Sequence, residues 1–195
     1  MAAGADLPEL IVPDSVAWRD WLRNNHDGAV GVWLVLAKKA TVDPTRLTYD
    51  DALDEALCYG WIDGQKGARD TSTFKQRFNH RRPRSPWSRR NVGIVQRLIT
   101  DERMQPSGLT EIERAKADGR WDTAYEGQAK ATVPDDLAKA LAANSAAHAM
   151  FEGLSRANRY AILYRIDIPK RPETRARKID EFIAMLARGE TVHPQ

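Results

Sequence analysis

The chain has 195 residues, 42% of them hydrophobic and 29% charged, with a net charge of +3. That length buries a real core without disulfide or metal staples and fits one compact domain, or one with a small helical extension. No run approaches the ~18 consecutive apolar residues of a membrane span. Six Trp and a modest net charge exclude extended disorder, and a single Cys excludes an internal disulfide framework or a Cys-rich zinc module.

The N-terminal MAAGADLPEL has no basic stretch followed by an apolar one, so no signal peptide is expected. With the lone Cys58, that favours a reducing, cytoplasmic address. The small net charge conceals segregation along the chain. Residues 1–63 carry −6, residues 64–100 carry +9, and residues 101–195 are neutral. A block this basic either forms a face that attracts phosphate, carboxylate or nucleic acid, or lies against the acidic first segment and cancels.

In chain order, Asp14 or Ser15 caps a first helix that runs to about Asn25, with Trp18, Trp21 and Leu22 as its apolar stripe. The run GVWLVLA (31–37) is short, continuous and Val-rich, which predicts a buried strand. Thr48 and Asp51 form a capping box for a helix that faces inward with Ala52, Leu53, Ala56 and Leu57 and stops at Gly60. WIDGQKG reads as a short strand and turn, and TFKQRF (73–78) alternates like a strand. NHRRPRSP is too basic and Pro-rich for regular structure and reads as an ordered loop. Ser85 with Pro86, or Ser88, then starts a helix with Val92, Val95, Leu98 and Ile99 inward. Ser107 caps another, with Leu109, Ile112 and Ala115, closed by Gly119. Beyond residue 132 the pattern is helical only. Pro134, Ser145, Ser155 and Pro172 open four helices, the last with Ile179, Phe182, Ile183 and Leu186 and closed by Gly189. The expected class is α+β: a small mixed or antiparallel sheet with helices over 1–125, a linker over 126–132, and an all-helical subdomain over 133–195.

Several motifs occur in a characteristic order. They are ALCYGWIDGQ (56–65), RF-x-x-R (77–81), S-x-WS-x-x-N (85–91), GRWDTAY (119–125), VPDDL-x-x-AL (133–141) and ETRARKI (173–179). Together they resemble the YdeI/OmpD-associated, or bacteriocin-protection, family, over about residues 9–193. The helical C-terminal part is similar to that family's small OmpD-associated domain. His80 stands where the family usually has Pro, and Pro169 where it usually has Ala. The resemblance implies a fold and a broad role in tolerance of toxic or antimicrobial agents. It implies no established reaction, cofactor or catalytic residue.

The chemistry of these residues narrows the choice. Cys58 sits near a helix C-terminus, where the dipole disfavours a thiolate, so it reads as a small buried residue. Asp63 before Gly64 is either an Asx-turn residue or an acid/base group. Trp61 is core or a pocket wall. Arg77, Arg81 and Arg84 offer guanidinium forks that grip carboxylate or phosphate. Trp87 adds a platform, and Ser88 and Asn91 add polar groups where a helix begins. Lys39, at a strand end, is a further candidate cation. The expected ligand is therefore an anionic small molecule or peptide held by Arg77, Arg81, Arg84, Trp87, Ser88, Asn91, Trp61 and Lys39. One alternative is an enzyme acting on such a ligand, with Asp63 as acid/base. A second is nucleic-acid binding through the basic segment. The four His have no metal-ligand spacing, and nucleotide-cofactor and hydrolase motifs are absent, so neither metal nor cofactor is expected.

Overall fold

The computed structural model describes residues 7–127, 131–169 and 171–194. The N-terminal reading over residues 1–6 and the centre of the linker reading, residues 128–130, lie outside the described residues. The fold is α+β, and the chain divides into two compact units. Unit 1 comprises Met1–Trp87 and Asn91–Thr123; unit 2 comprises Ser88–Arg90 and Ala124–Gln195.

Unit 1 holds β1 (Glu9–Leu10), α1 (Ser15–Asn25), β2 (Val32–Ala37), α2 (Tyr49–Cys58), β3 (Trp61–Ala68), β4 (Thr73–His80), most of α3 (Arg89–Thr100), and α4 (Pro106–Ala117). The sheet order is β1-β2-β4-β3, with β1 parallel to β2 and the other pairs antiparallel. The strand predicted over WIDGQKG is longer than a strand and turn, because it pairs with β4 along nearly its whole length. β4 likewise extends through Asn79 and His80, so the loop begins at Arg81.

Alternation assigns the two faces of β4. Gln76 and Phe78 are buried, and Phe78 packs 5.8 Å from Trp18 of α1. Trp18 is fully buried, stacks on Trp21 at 5.2 Å and donates its indole N–H to the Ala52 carbonyl of α2. The apolar face of α2 is buried as its spacing predicts, and Thr48 caps it by accepting from the Asp51 N–H. Glu55 on the same helix is 4% exposed yet charged; Arg19 and Arg103 each bond it at 2.7 Å, which is what makes its burial tolerable. Gly60 ends the helix region in the left-handed conformation (φ +75°).

Two helices bury a different stripe from the one the sequence predicts. In α3 the inward residues are Asn91, Val95 and Leu98, one face at i, i+4, i+7, and Ile99 is 42% exposed. The helix starts after Ser88 rather than at Ser85. In α4, Gln105 is the N-cap and Pro106 the first residue, so Ser107 lies inside the helix and does not cap it. Gly108, Ile112 and Ala115 then face inward, and Leu109 is 40% exposed. Gly108 is there because α4 crosses close to the end of α2. A Cβ at that position would meet the Cys58 carbonyl carbon and Met104 Cε at 2.8 Å, and the Cys58 carbonyl oxygen nearer still.

Unit 2 is helical: α5 (Asp135–Ala142), α6 (Ser145–Glu152), α7 (Arg156–Asp167) and α8 (Pro172–Ala187). Asn144, not Ser145, caps α6 by accepting from the Ala147 N–H. Ser155 caps α7 and Pro172 opens α8, as expected. The four helices enclose one core, with Leu137, Leu141, Phe151, Ile162, Ile166, Ile179 and Leu186 all nearly fully buried. Buried Asn158 exchanges two hydrogen bonds with the His193 backbone and ties down the C-terminal segment. Arg175 pairs with Asp136 at 2.6 Å, linking α8 to α5.

Candidate functional site

The basic segment forms the β3–β4 hairpin, the loop after it, and α3. Part of its charge is cancelled by acids. Arg69 pairs with Glu9 at 2.9 Å and with Asp70, and Arg97 pairs with Asp54 at 2.7 Å. Arg77 is different: it makes no ion pair with any described residue, and its buried Nε has no acceptor.

The loop after β4 is built around an aromatic stack. The Arg81 guanidinium lies 3.7 Å from the Trp87 ring centroid, and its Nη1 donates to the Pro86 carbonyl at 3.3 Å. Trp87 in turn packs 5.0 Å from Trp121, and Lys116 stands over Trp121. Arg120 closes the group by donating to the Ser85 carbonyl at 2.8 Å and pairing with Asp118 at 2.7 Å. Arg81, Trp87 and Arg120 are all more than nine-tenths buried. Trp87 Nε1 and Arg120 Nη2 are buried N–H groups with no acceptor. Such a group ordinarily costs ~1–3 kcal/mol unless something accepts from it. Arg120 has no place among the sequence-predicted site residues, although it sits in the GRWDTAY motif beside Trp121. Its position next to an aromatic was the available signal.

The other predicted residues fall in several places. Arg84 is exposed on the turn closed by the bond from the Ser85 N–H to the Arg82 carbonyl. Ser88 is buried in unit 2, where it bridges Tyr125, and Asn91 is buried in the first turns of α3 in unit 1. Trp61 is a correction. It is 0% exposed, donates to the His26 carbonyl and packs edge-on against Trp18 and Trp21, so it is core and offers no stacking surface. Lys39 is also a correction. It is exposed just past β2, whose last residue pairs with Thr73, whereas Arg81 follows His80 at the far end of β4. Eight residues of strand separate the two ends, roughly 24 Å at ~3.4 Å per residue. Its neighbour Lys38 instead donates to the Asp70 and Thr71 carbonyls, beside a cleft of about 790 Å³ at the hairpin end that Lys66 and Phe74 also line.

Asp63 lies within β3 and not in an Asx turn. It accepts a 2.8 Å bond from the Tyr49 hydroxyl and pairs in register with Phe78. Phe78 faces the helices and Arg77 the opposite side, so the sheet separates Asp63 from the Arg77 guanidinium. Cys58 is 1% exposed, and burial pushes its thiol up to about 12, against any nucleophilic role. Among the described residues no cluster of three or more His, Cys, Asp or Glu could hold a metal, and no helix is long and apolar enough to cross a membrane.

Two family models match the chain. One, described as "Domain of unknown function (DUF8412)", matches residues 10–111. The other, described as "Bacteriocin-protection, YdeI or OmpD-Associated", matches residues 130–189. No curated protein and no solved structure matches. The motifs from ALCYGWIDGQ to S-x-WS-x-x-N thus fall in the first region, VPDDL-x-x-AL and ETRARKI fall in the second, and GRWDTAY lies between them. With more than half its length matched by the first model, the chain belongs to the DUF8412 family, and its C-terminal helices match the YdeI/OmpD-associated model over residues 130–189.

Proposed function

We propose that this protein binds an anionic small molecule or peptide at the Arg/Trp loop of unit 1, and that it contributes in this way to tolerance of antimicrobial agents. One observation carries the reading: Trp87 Nε1 and Arg120 Nη2 are buried donors without acceptors beside the Arg81–Trp87 stack. The oxygens of a carboxylate or phosphate are acceptors of the kind these two donors lack, and charge-assisted bonds are the stronger kind. Exposed Arg84 precedes Ser85, whose carbonyl Arg120 already holds, so a third guanidinium stands beside the same turn. The tolerance role rests on the description of the C-terminal family alone. The lone, buried Cys58 favours a reducing cytoplasmic location. We take residues 1–125 and 133–195 as two domains joined by 126–132.

The test is a titration with small carboxylates, organophosphates and short acidic peptides, followed by intrinsic Trp fluorescence. Trp87→Phe keeps the ring and removes the N–H; Arg120→Gln removes the charge. Each is expected to weaken binding about 10-fold or more, the equivalent of one charge-assisted hydrogen bond. Arg81→Ala is a poor probe, since it dismantles the stack itself. If no anion saturates, or if both variants bind as the wild type does, the proposal fails. For the physiological role, a sensitive bacterial strain expressing the protein is compared with one expressing Arg120→Gln under antimicrobial challenge. Equal survival refutes the link.

A further inference from the structure

A second surface, separate from the loop, carries chemistry of its own. The strands β2, β4 and β3 turn one face to α1 and α2. On the other face Trp33 of β2 pairs in register with Arg77 of β4, and Lys75 lies two residues along. All three are half-buried, whereas Val35, which pairs with Lys75, is fully buried, so this face is open only in part. The Lys75 ammonium stands 5.3 Å from the Trp33 ring centroid.

Two glycines of β3 keep this face flat. A Cβ at Gly67 would meet Lys75 Cγ at 2.9 Å and lie 3.5 Å from the far edge of the Trp33 ring. The Trp33 indole therefore reaches across β4 toward β3, over a position that carries no side chain. Gly64 does the same for Arg77, whose methylenes lie 3.5–3.6 Å from where a Cβ would stand. Arg77 has no acid and no hydrogen-bond acceptor among the described residues. Lys75 has only a long 3.9 Å approach to Glu9, a carboxylate that Arg69 already holds at 2.9 Å.

We infer that this face binds single-stranded nucleic acid, with one base stacked on Trp33 and the flanking phosphates on Lys75 and Arg77. Each part of the ligand has a counterpart here. A base supplies a π-face for an indole, and a phosphate supplies the anion that Arg77 lacks. A flat sheet face does not enter a duplex groove, and in a duplex the base faces are already stacked on one another, so the single strand is the form that fits. Two phosphate contacts predict a shallow salt dependence, with a slope near −1.4 in log affinity against log salt.

The experiment uses the full chain and a labelled oligomer of 12 deoxythymidines, read by fluorescence anisotropy at several salt concentrations. Trp33→Ala is expected to weaken binding about 5- to 100-fold and leave the salt slope unchanged. Trp33→Phe, which keeps an aromatic ring, is expected to retain most of the affinity. Arg77→Gln should flatten the slope by about 0.7. Thermal melts of each variant show whether the fold survives, and the Trp33→Phe comparison carries the test if Trp33→Ala does not fold. The inference is overturned if Trp33→Ala binds as tightly as the wild type, if Trp33→Phe loses as much as Trp33→Ala, or if heparin competes equally in every variant, which would mean that charge alone is read. Trp87→Phe and Arg120→Gln should not affect this binding, so it stands or falls apart from the anion site.

Discussion

Replacing Gly108 with Ala and Gly93 with Ala makes the same chemical change inside two helices of unit 1, and the structure predicts opposite signs. Gly93, in α3, has nothing within 4 Å of an added Cβ. Removing its excess backbone freedom stabilises the helix by ~1 kcal/mol, a rise of about 2–4 °C in melting temperature for a chain this size. Gly108 gains the same propensity and loses more. Its new methyl would stand 2.8 Å from the Cys58 carbonyl carbon, where carbon atoms rest at ~3.5 Å, with the oxygen closer still. The obstacle is backbone, so α4 must retreat from α2 by on the order of 1 Å. That strains a packed interface at ~3 kcal/mol. It also stretches the bond from the Gln105 N–H to the Cys58 carbonyl, now 3.1 Å, for about 1 kcal/mol more. The net is a loss of about 2–3 kcal/mol, or a melting temperature lower by about 4–12 °C. Circular dichroism melts of the two variants beside the wild type decide the matter. If Gly108→Ala melts at or above the wild type, the close α2–α4 approach is not as described.

Three further outcomes are expected. Cys58 should react with a thiol reagent at pH 8 only when denaturant is added, because burial pushes its thiol up to about 12; fast labelling of the native protein refutes this. The Asp70 carboxyl is held at about 2 by the Thr73 hydroxyl and backbone N–H, with the Ser72 N–H and Arg69 adding to them. Because its folded value lies below the ordinary 3.8, its stabilising effect is complete above that value and is lost as pH falls through about 2. A carboxyl NMR titration should place Asp70 well below the ordinary 3.8, and Asp70→Asn should remove its share of the acid limb. Finally, a fragment of residues 131–194 should melt cooperatively by itself, since it contains the whole core formed by Leu137, Phe151, Ile162, Ile179 and their neighbours. A gradual, non-cooperative melt shows that those helices need the rest of the chain.

Much of the fold was legible where local signals were strong. The Thr48 cap, the α2 stripe, Gly60, the alternation of β4 and the Pro172 start all stand as the spacing predicts. The errors arose where several phases were equally good. Ile99 and Leu109 each sit one position from a buried residue, and only the tertiary contacts of Leu98 and Gly108 select the stripe. Ser145 and Asn144 are both acceptable caps, and the structure uses Asn144. For the site, proximity in sequence misled in two directions. Arg77 and Arg81 are four residues apart but belong to different surroundings, a strand face and a loop stack. Arg120 is distant in sequence and joins Ser85 and the Trp87 stack. The surroundings of the buried aromatics were not readable either: Trp61 and Trp87 carry the same side chain, and only the packing places the first in the sheet–helix core and the second in the loop stack.

Between Asp63 and Lys66 the pairing of β3 slips by one residue: three steps on β3 match two on β4. A strand that alternates strictly cannot reverse which parity faces the helices; this one does. Before the slip the odd-numbered Trp61 and Asp63 share a face with Phe78, and after it the even-numbered Lys66 and Ala68 do. Lys66 is thereby sent to the Phe74 side, where its ammonium rests 4.2 Å from that ring, and Gly67 is left under the Trp33 indole. Were β3 to pair on from Asp63 without the slip, Lys66 would fall opposite Lys75 and Gly67 opposite Phe74, which exchanges the two. A lysine would then stand where the indole now lies, and the flat face would be lost with no change in its own residues. The slip therefore acts as a selector of surface chemistry, positioned one strand away from the side chains whose setting it decides.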